Sequence, residues 1–373
     1  MDANHLKALW PTTYGRPWME PASQPGLASV IMPTHDRADV ISQSLDSVLA
    51  QTYRPLELVV VDDGSTDGTS ARVEAWSLGG CADDEAFLLR LVRQDHSGAP
   101  AARNCGLVRS RGEFIQFLDS DDLLHPNKIE KQVARLGRDE RIDLTYARTA
   151  YFTETVDWTA DPYGRLPEAD ERPLTAYLLG GCWPTMSALF RRRACHDVGP
   201  WDEQARVLED WDYSIRIMLG GACLDYLDET LLLYRQGHGV RPTVTGRALS
   251  PQSLRNRCAL TARWVQWIRA AGQLDPDVQR VFSSQLLELA KTCLVAGNVD
   301  LAREMLDTLD SLDLAAPRSR SRPMYVCIAH MPRWCGPILA RGLHRSIAIK
   351  DRASRRLAFR RRCKDAAADR RLP

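Results

Sequence analysis

A chain of 373 residues, 44% of them hydrophobic, can bury a sizeable core in one large domain plus an extension, which marks a globular protein rather than a fibrous or disordered one. The formal net charge of +1 hides an asymmetry, because positions 341–373 hold twelve Lys or Arg against three Asp, a local +9, and leave −8 for everything before them. No apolar run reaches the roughly eighteen residues of a membrane-spanning helix, and the ten cysteines show no paired CxxC spacing. With no basic region followed by an apolar core at the N-terminus, a reducing cytoplasm is the expected setting.

Residues 1–27 carry four prolines and no sustained period, so they read as an extension. From Ala28 the chain alternates. Strands are predicted at Ala28–Met32, Leu56–Val61, Leu88–Val92 and Phe114–Leu118, and the intervening segments place Ile41, Leu45, Val48 and Leu49 on one helical face, a helix ending near Trp76, and another over Ala99–Val108. Pro126 is placed at a first helical position, ahead of Ile129, Val133 and Leu136. This alternation predicts an α/β fold with a mainly parallel central sheet flanked by helices.

From Ile142 to about Leu233 shorter strands are expected at Leu144–Tyr146, Met186–Phe190 and Leu231–Tyr234, with one helix beginning near Glu209. Beyond Arg247 the apolar stripes Leu260/Trp264/Ile268, Phe282/Leu286/Leu289 and Leu301/Met305/Leu309 predict an α-helical C-terminal extension, its last two helices hairpinned around Gly297-Asn298. The expected division is 1–27 extension, 28–140 nucleotide-binding half, 141–245 acceptor half, 246–340 helical region and 341–373 basic tail.

The chemistry concentrates at strand ends. Phe114–Leu118 runs into Asp119-Ser-Asp-Asp122, which delivers three carboxylates to the edge where open α/β sheets bind ligands. Clustered carboxylates repel unless a hard cation or donors compensate them, so the segment reads as a divalent-metal site, although the same turn also suits a cap on the next helix. Leu56–Val61 similarly ends in Asp62 and Asp63, where one carboxylate can accept the N3–H of a pyrimidine and the other can brace the turn. There is no GxGxxG after the first strand and no GxxxxGK[ST], which argues against a dinucleotide dehydrogenase and a Walker-type triphosphatase.

Five signals in order resemble the family 2 glycosyltransferases of the GT-A fold: Ser29-Val-Ile-Met-Pro-Thr34, Val61-Asp-Asp-Gly-Ser-Thr-Asp67, Ala102-Arg-Asn-Cys-Gly106, Phe117-Leu-Asp-Ser-Asp-Asp122 and Glu209-Asp210 before Trp211. The resemblance implies a metal-dependent, inverting transfer of sugar from a nucleoside-diphosphate sugar, UDP in most relatives and dTDP or GDP in others, to a hydroxyl of a glycan, lipid-linked sugar or protein. It implies that Pro33 and His35 line the nucleobase pocket, that Asp63 reads the base, that Arg103 lies near the diphosphate, and that Asp119 sits near the ribose or behind the metal. Asp121 becomes the ligand for Mg²⁺ or Mn²⁺, Asp122 orients the site, and His238 falls where some relatives place a histidine near metal and phosphates. Asp210 becomes the base, with Glu209 and Asp212 as competitors. Many relatives have Tyr-Asn where this chain has His35-Asp36, which weakens the stacking role of His35.

Two other readings compete. One is a catalytically silent nucleotide-sugar-binding module of a larger assembly, which the intact acidic motifs oppose. The other is a nucleotidyltransferase, which generally carries a glycine-rich basic loop where this chain has Pro33-Thr-His-Asp-Arg37. The basic tail suits either a peripheral contact with the inner membrane face or a solvated segment, and no nucleic-acid partner is expected.

Overall fold

The computed structural model describes Trp10, Met19 and residues 24–80, 84–165, 168, 171–180, 185–205, 207–236 and 250–315. His238, most of the N-terminal extension and the basic tail lie outside the described residues. Two compact units separate. One falls within Met1–Gly246 and Arg263–Val278, the other within Arg247–Ala262 and Gln279–Pro373.

The first unit is built on an eight-stranded sheet ordered β3-β2-β1-β4-β7-β6-β8-β5, comprising β1 (Gln24–Thr34), β2 (Leu56–Asp63), β3 (Phe87–Gln94), β4 (Gly112–Phe117), β5 (Leu123–Leu124), β6 (Leu144–Phe152), β7 (Leu189–Arg191) and β8 (Leu224–Arg235). β1 is parallel to both β2 and β4, so the strand order reverses about β1 and the C-terminal ends of these three strands share one edge. That reversal point is where such sheets form a ligand crevice.

Both faces of this half are covered, which explains its unbroken Val and Leu runs. Leu58 and Val60 of β2 pack with Ile41, Leu45 and Val48 of helix α1 (Ile41–Leu49) and with Val73 of α2 (Thr69–Gly80). Val59 and Val61 face Ala102 of α3 (Ala99–Arg109). α3 lies so close to β1 that a Cβ on Gly106 would stand 2.4 Å from Ile31 Cγ2; the glycine of the Ala102–Gly106 motif is what lets the helix sit there.

The central strands are therefore as expected, with β1 starting earlier, at Gln24, inside the stretch read as an extension. Other expectations need correction. Helix α4 is Lys128–Leu136 and starts two residues after Pro126. Thr185–Ser187, which contains Met186, is a 3₁₀ turn, and only Leu189–Arg191 forms the strand β7, because its antiparallel pairing with β4 extends over only three residues, Leu189 to Arg191. β6 and β8 run much longer than their apolar cores suggest and pair in parallel with register shifts around Ala147–Thr149. Two short helices, α5 (Pro173–Leu178) and α6 (Arg192–Val198), carry too few turns to show a period.

Beneath β4 lies a buried polar network. Lys128 is fully buried and donates from Nζ to Gln116 Oε1 and Gln132 Oε1, each at 2.5 Å. The amides of those glutamines then donate to the carbonyls of Phe117 and Met186, and of Thr145 and Ser187. Burial, with no carboxylate to oppose it, holds the Lys128 amine well below the usual lysine range.

Helix α7 (Glu209–Leu219) belongs to this unit, as do residues 263 onward of α8 (Pro251–Ala270). α9 (Pro276–Val295), from residue 279 onward in the second unit, and α10 (Val299–Ser311) form the expected hairpin, turned by Gly297 at a φ of +88° and closed by the Asn298 N–H on the Cys293 carbonyl at 2.8 Å.

Candidate active site

The shared edge gathers the sequence-predicted residues of β1, β2 and β4. Asp62 braces its own turn, accepting from the Ser65 N–H at 2.9 Å and from the Ser70 hydroxyl. Asp63 is buried and holds the loop after β3: its carboxylate accepts from Gln94 Nε2 at 2.7 Å and from the Ser97 and Gly98 N–H groups, each at 2.8 Å. Gly64 makes this closure possible, since it has a φ of +73° and a Cβ there would stand 2.9 Å from the His96 nitrogen.

His35 leaves the end of β1, and its Nδ1 lies 2.8 Å from the Asp63 carbonyl, so that nitrogen carries the proton and donates. His96 does the same at 3.1 Å, and the two imidazoles stack with centroids 4.1 Å apart. His96 was not identified from sequence, because nothing in its surroundings marks it until β3 is placed beside β2. Pro33 lies inside β1, paired with Val61. Arg37 links this side to the acidic turn, its Nε 3.5 Å from Asp121 Oδ2.

The acidic turn itself is unevenly served. Asp119 accepts from Arg103 Nη2 at 2.8 Å. Asp121 is about a third exposed, and burial and then the charge of Asp119 push its carboxyl upward. Asp122 is buried; Oδ1 accepts from the Arg235 N–H at 3.0 Å, whereas Oδ2 is buried without a hydrogen-bond partner among the described residues. Burial and the charges of Asp121 and Asp119 push Asp122 well above the ordinary carboxylate range.

Among the described residues no three His, Cys, Asp or Glu side chains form a ready-made metal cage. The donor set nevertheless fits Mg²⁺ or Mn²⁺: it is oxygen-only, with one buried carboxylate oxygen lacking a partner among the described residues. Mg²⁺ in particular is commonly held by one or two carboxylates plus substrate phosphates.

The opposite wall comes from α3 and α7. Phe117, Trp201 and Tyr213 form an aromatic cluster, with Trp201 and Tyr213 stacked at 4.1 Å and Phe117 edge-on to both. Asn104 of the α3 motif pins the backbone of Trp201 from both sides, at 2.8 and 3.0 Å. Arg103 lies over Trp201 at 4.5 Å and is buried, its guanidinium turned to Asp119 and, at 3.3 Å, to Glu209. Burial opposes its charge, but Asp119 and Glu209 together outweigh that and hold Arg103 above its ordinary range.

The three acids at the start of α7 consequently differ. Glu209 is paired with Arg103, and Asp212 is buried among Arg216, Arg263 and the Trp264 N–H at 2.9, 2.9 and 3.0 Å. Asp210 has no ion pair among the described residues. Burial first and the charge of Glu209 second push its carboxyl up to about 7, against a bond from the Trp211 N–H. Burial first, and then the charges of Asp119, Asp122, Asp121 and Asp210, hold the Tyr234 phenol above the usual range.

Residues 29–199 match the family model described as Glycosyl transferase family 2. An uncharacterized glycosyltransferase of Rickettsia felis is 30% identical over 219 residues, 57% of this chain and 34% of the relative. A PGL/p-HBAD biosynthesis glycosyltransferase of Mycobacterium bovis is 28% identical over 234 residues, 59% of this chain and 80% of the relative. The chain spans from about a third to two thirds of the length of the first curated relatives it matches. A crystal structure of S. aureus TarS 1-349 in complex with UDP-GlcNAc has a TM-score of 0.52 at 17% identity, over 80% of this chain and 91% of that one, and shows the likeness of fold. The strand order, the acidic edge and this match make residues 29–199 similar to glycosyl transferase family 2, on a fold like that of TarS.

Proposed function

We propose that the chain transfers a sugar from a nucleoside-diphosphate sugar, a UDP-sugar by preference, to an acceptor hydroxyl with inversion at the anomeric carbon. The observation that carries this reading is Asp210: of the three acids at the start of α7 it alone has no ion pair among the described residues, and its carboxyl is pushed up to about 7, the range in which a carboxylate can take a proton at neutral pH.

His35, Pro33 and the Asp63 turn hold the nucleobase, and His96 extends the surface that His35 offers. Asp121 would hold Mg²⁺ or Mn²⁺ with Asp122 behind it, and His238 is the further candidate ligand outside the described residues. When bound, the ion neutralises charge on the leaving diphosphate. Arg103 bridges Asp119 and Glu209 and so fixes the distance between the donor edge and α7. Asp210 removes the acceptor proton as oxygen attacks the face opposite the leaving group, and the proton stays on its carboxyl.

Asp210→Asn tests this, because it keeps shape but not the proton acceptor. Nucleotide-sugar binding by calorimetry should hold while transfer falls by roughly 10² to 10⁴; transfer within a few-fold of the unmodified chain excludes Asp210 as base. The basic tail is proposed as a peripheral contact with an anionic membrane face, at about 1 kcal/mol per basic residue before screening. No helix among the described residues is long and apolar enough to cross a membrane. Failure to sediment with anionic vesicles at low salt would remove that contact.

A further inference from the structure

Three tyrosines lie together beside the carboxylate edge with a large part of each ring exposed: Tyr151 at 38%, Tyr163 at 42% and Tyr234 at 40%. The backbone sets their company. Tyr151 of β6 and Tyr234 of β8 are register partners across parallel strands. Tyr163 is held next to β6 by the Ala150–Pro162 bridge and by its own N–H on the Thr149 carbonyl at 2.6 Å. Tyr151 meets Tyr163 at 4.9 Å and 64°, and Tyr234 at 5.9 Å and 82°, so the rings form an edge-to-face surface rather than one flat stack.

This surface adjoins the candidate active site through covalent continuity. Arg235, next to Tyr234, donates from its N–H to Asp122 Oδ1 at 3.0 Å and from Nε to the Asp121 carbonyl at 2.9 Å. Tyr234 and Arg235 alternate across the strand, one exposed and the other buried against the acidic turn. The strand that carries the ring is thus locked to the turn that carries the metal candidate.

We infer that Tyr151, Tyr163 and Tyr234 form an acceptor subsite that takes the C–H face of a neutral pyranose. Aromatic faces carry negative partial charge and attract the weakly positive C–H groups of such a ring, while phenol hydroxyls can meet its hydroxyls. The charges of Asp119, Asp122, Asp121 and Asp210 are all felt at Tyr234. That field disfavours a second anionic ligand beside the donor diphosphate, and a hydrocarbon chain gains nothing from the neighbouring acidic turn. A polyhydroxylated neutral ring suits both the aromatic floor and the polar rim.

The subsite rests on the transferase reading, and the two can fail separately. Nucleotide-sugar binding by the unmodified chain reports on that reading; oligosaccharide binding reports on the subsite. The full chain is titrated with maltopentaose, cellopentaose and chitopentaose and followed by saturation-transfer NMR. At least one should bind, Tyr151→Ala and Tyr163→Ala should each weaken it about tenfold, and Tyr151→Phe should stay within about threefold. Thermal unfolding confirms that each variant is folded. The subsite is overturned if none of the three binds at about 10 mM, if the alanine variants bind like the unmodified chain, or if Tyr151→Phe loses as much as Tyr151→Ala. Binding of tetramethylammonium in place of every oligosaccharide would identify a cation cage and equally overturn it.

Discussion

Asp212 Oδ2 accepts a 2.9 Å hydrogen bond from Arg216 Nε one turn along the same helix, and neither side chain has any exposed surface. Burial raises the cost of the Asp212 charge, yet Arg216 and Arg263 outweigh it and hold the carboxyl below its ordinary range. Such a group is a fixed anion and offers an acceptor nothing. Asp212→Asn should destabilise the chain by about 3 to 5 kcal/mol, because it strands buried arginine charge. Urea unfolding measures this; a loss below about 1 kcal/mol would mean the network carries little of the fold.

Asp121→Asn keeps the shape of the turn but removes a hard anionic donor. Calorimetry with Mn²⁺ and UDP-sugar together should show at least tenfold weaker binding than for the unmodified chain. Equal affinity would move the metal to another oxygen, with Asp122 the next to test.

Transfer should depend on pH through Asp210. Its carboxyl is pushed up to about 7, and only the ionised form accepts a proton, so kcat/KM should fall about tenfold per unit as pH drops below 7 and level off above it. The sign is opposite for folding: protonation below 7 removes a buried charge, so Asp210 contributes a stability that is fully present below the unfolded carboxylate range and lost as pH rises through about 7. A flat profile between pH 5 and 8 would exclude this carboxyl from the rate.

Gly64→Ala should loosen the loop around Asp63. The left-handed backbone and the 2.9 Å approach to His96 together predict a loss of about 1 to 3 kcal/mol, with nucleotide binding weakened alongside. An unchanged unfolding midpoint would show that the loop shifts at no cost.

Much of this could be read from the sequence where one segment contains its own cause. The Val-rich β2 has both faces covered, and the Asp62–Gly64 and Asp119–Asp122 turns follow strands directly, so strand, turn and carboxylate announce themselves together. The rest depends on contacts between distant segments. Asn104 and Trp201 are 97 positions apart, and only the fold shows that one pins the other. β8 was underestimated because Asp225, Asp228 and Glu229 interrupt its apolar pattern where the sheet edge is exposed. The choice among Glu209, Asp210 and Asp212 could not be made from spacing, since it turns on which arginine reaches which acid.

The lysine under β4 gives the molecule a preferred side of neutrality. A neutral amine has two N–H groups, and Gln116 and Gln132 present two oxygens to them, so the unprotonated form satisfies the cradle. The unfolded chain binds a proton at Lys128 that the folded chain resists, and stability from this site is gained as pH rises from the depressed folded value toward the ordinary lysine range near 10.4. Unfolding midpoints at increasing pH, compared with those of Lys128→Met, isolate that gain; parallel curves would refute it. Alkali thus steadies the packing beneath β4, whereas Asp210 gains its capacity to accept a proton as pH rises through about 7.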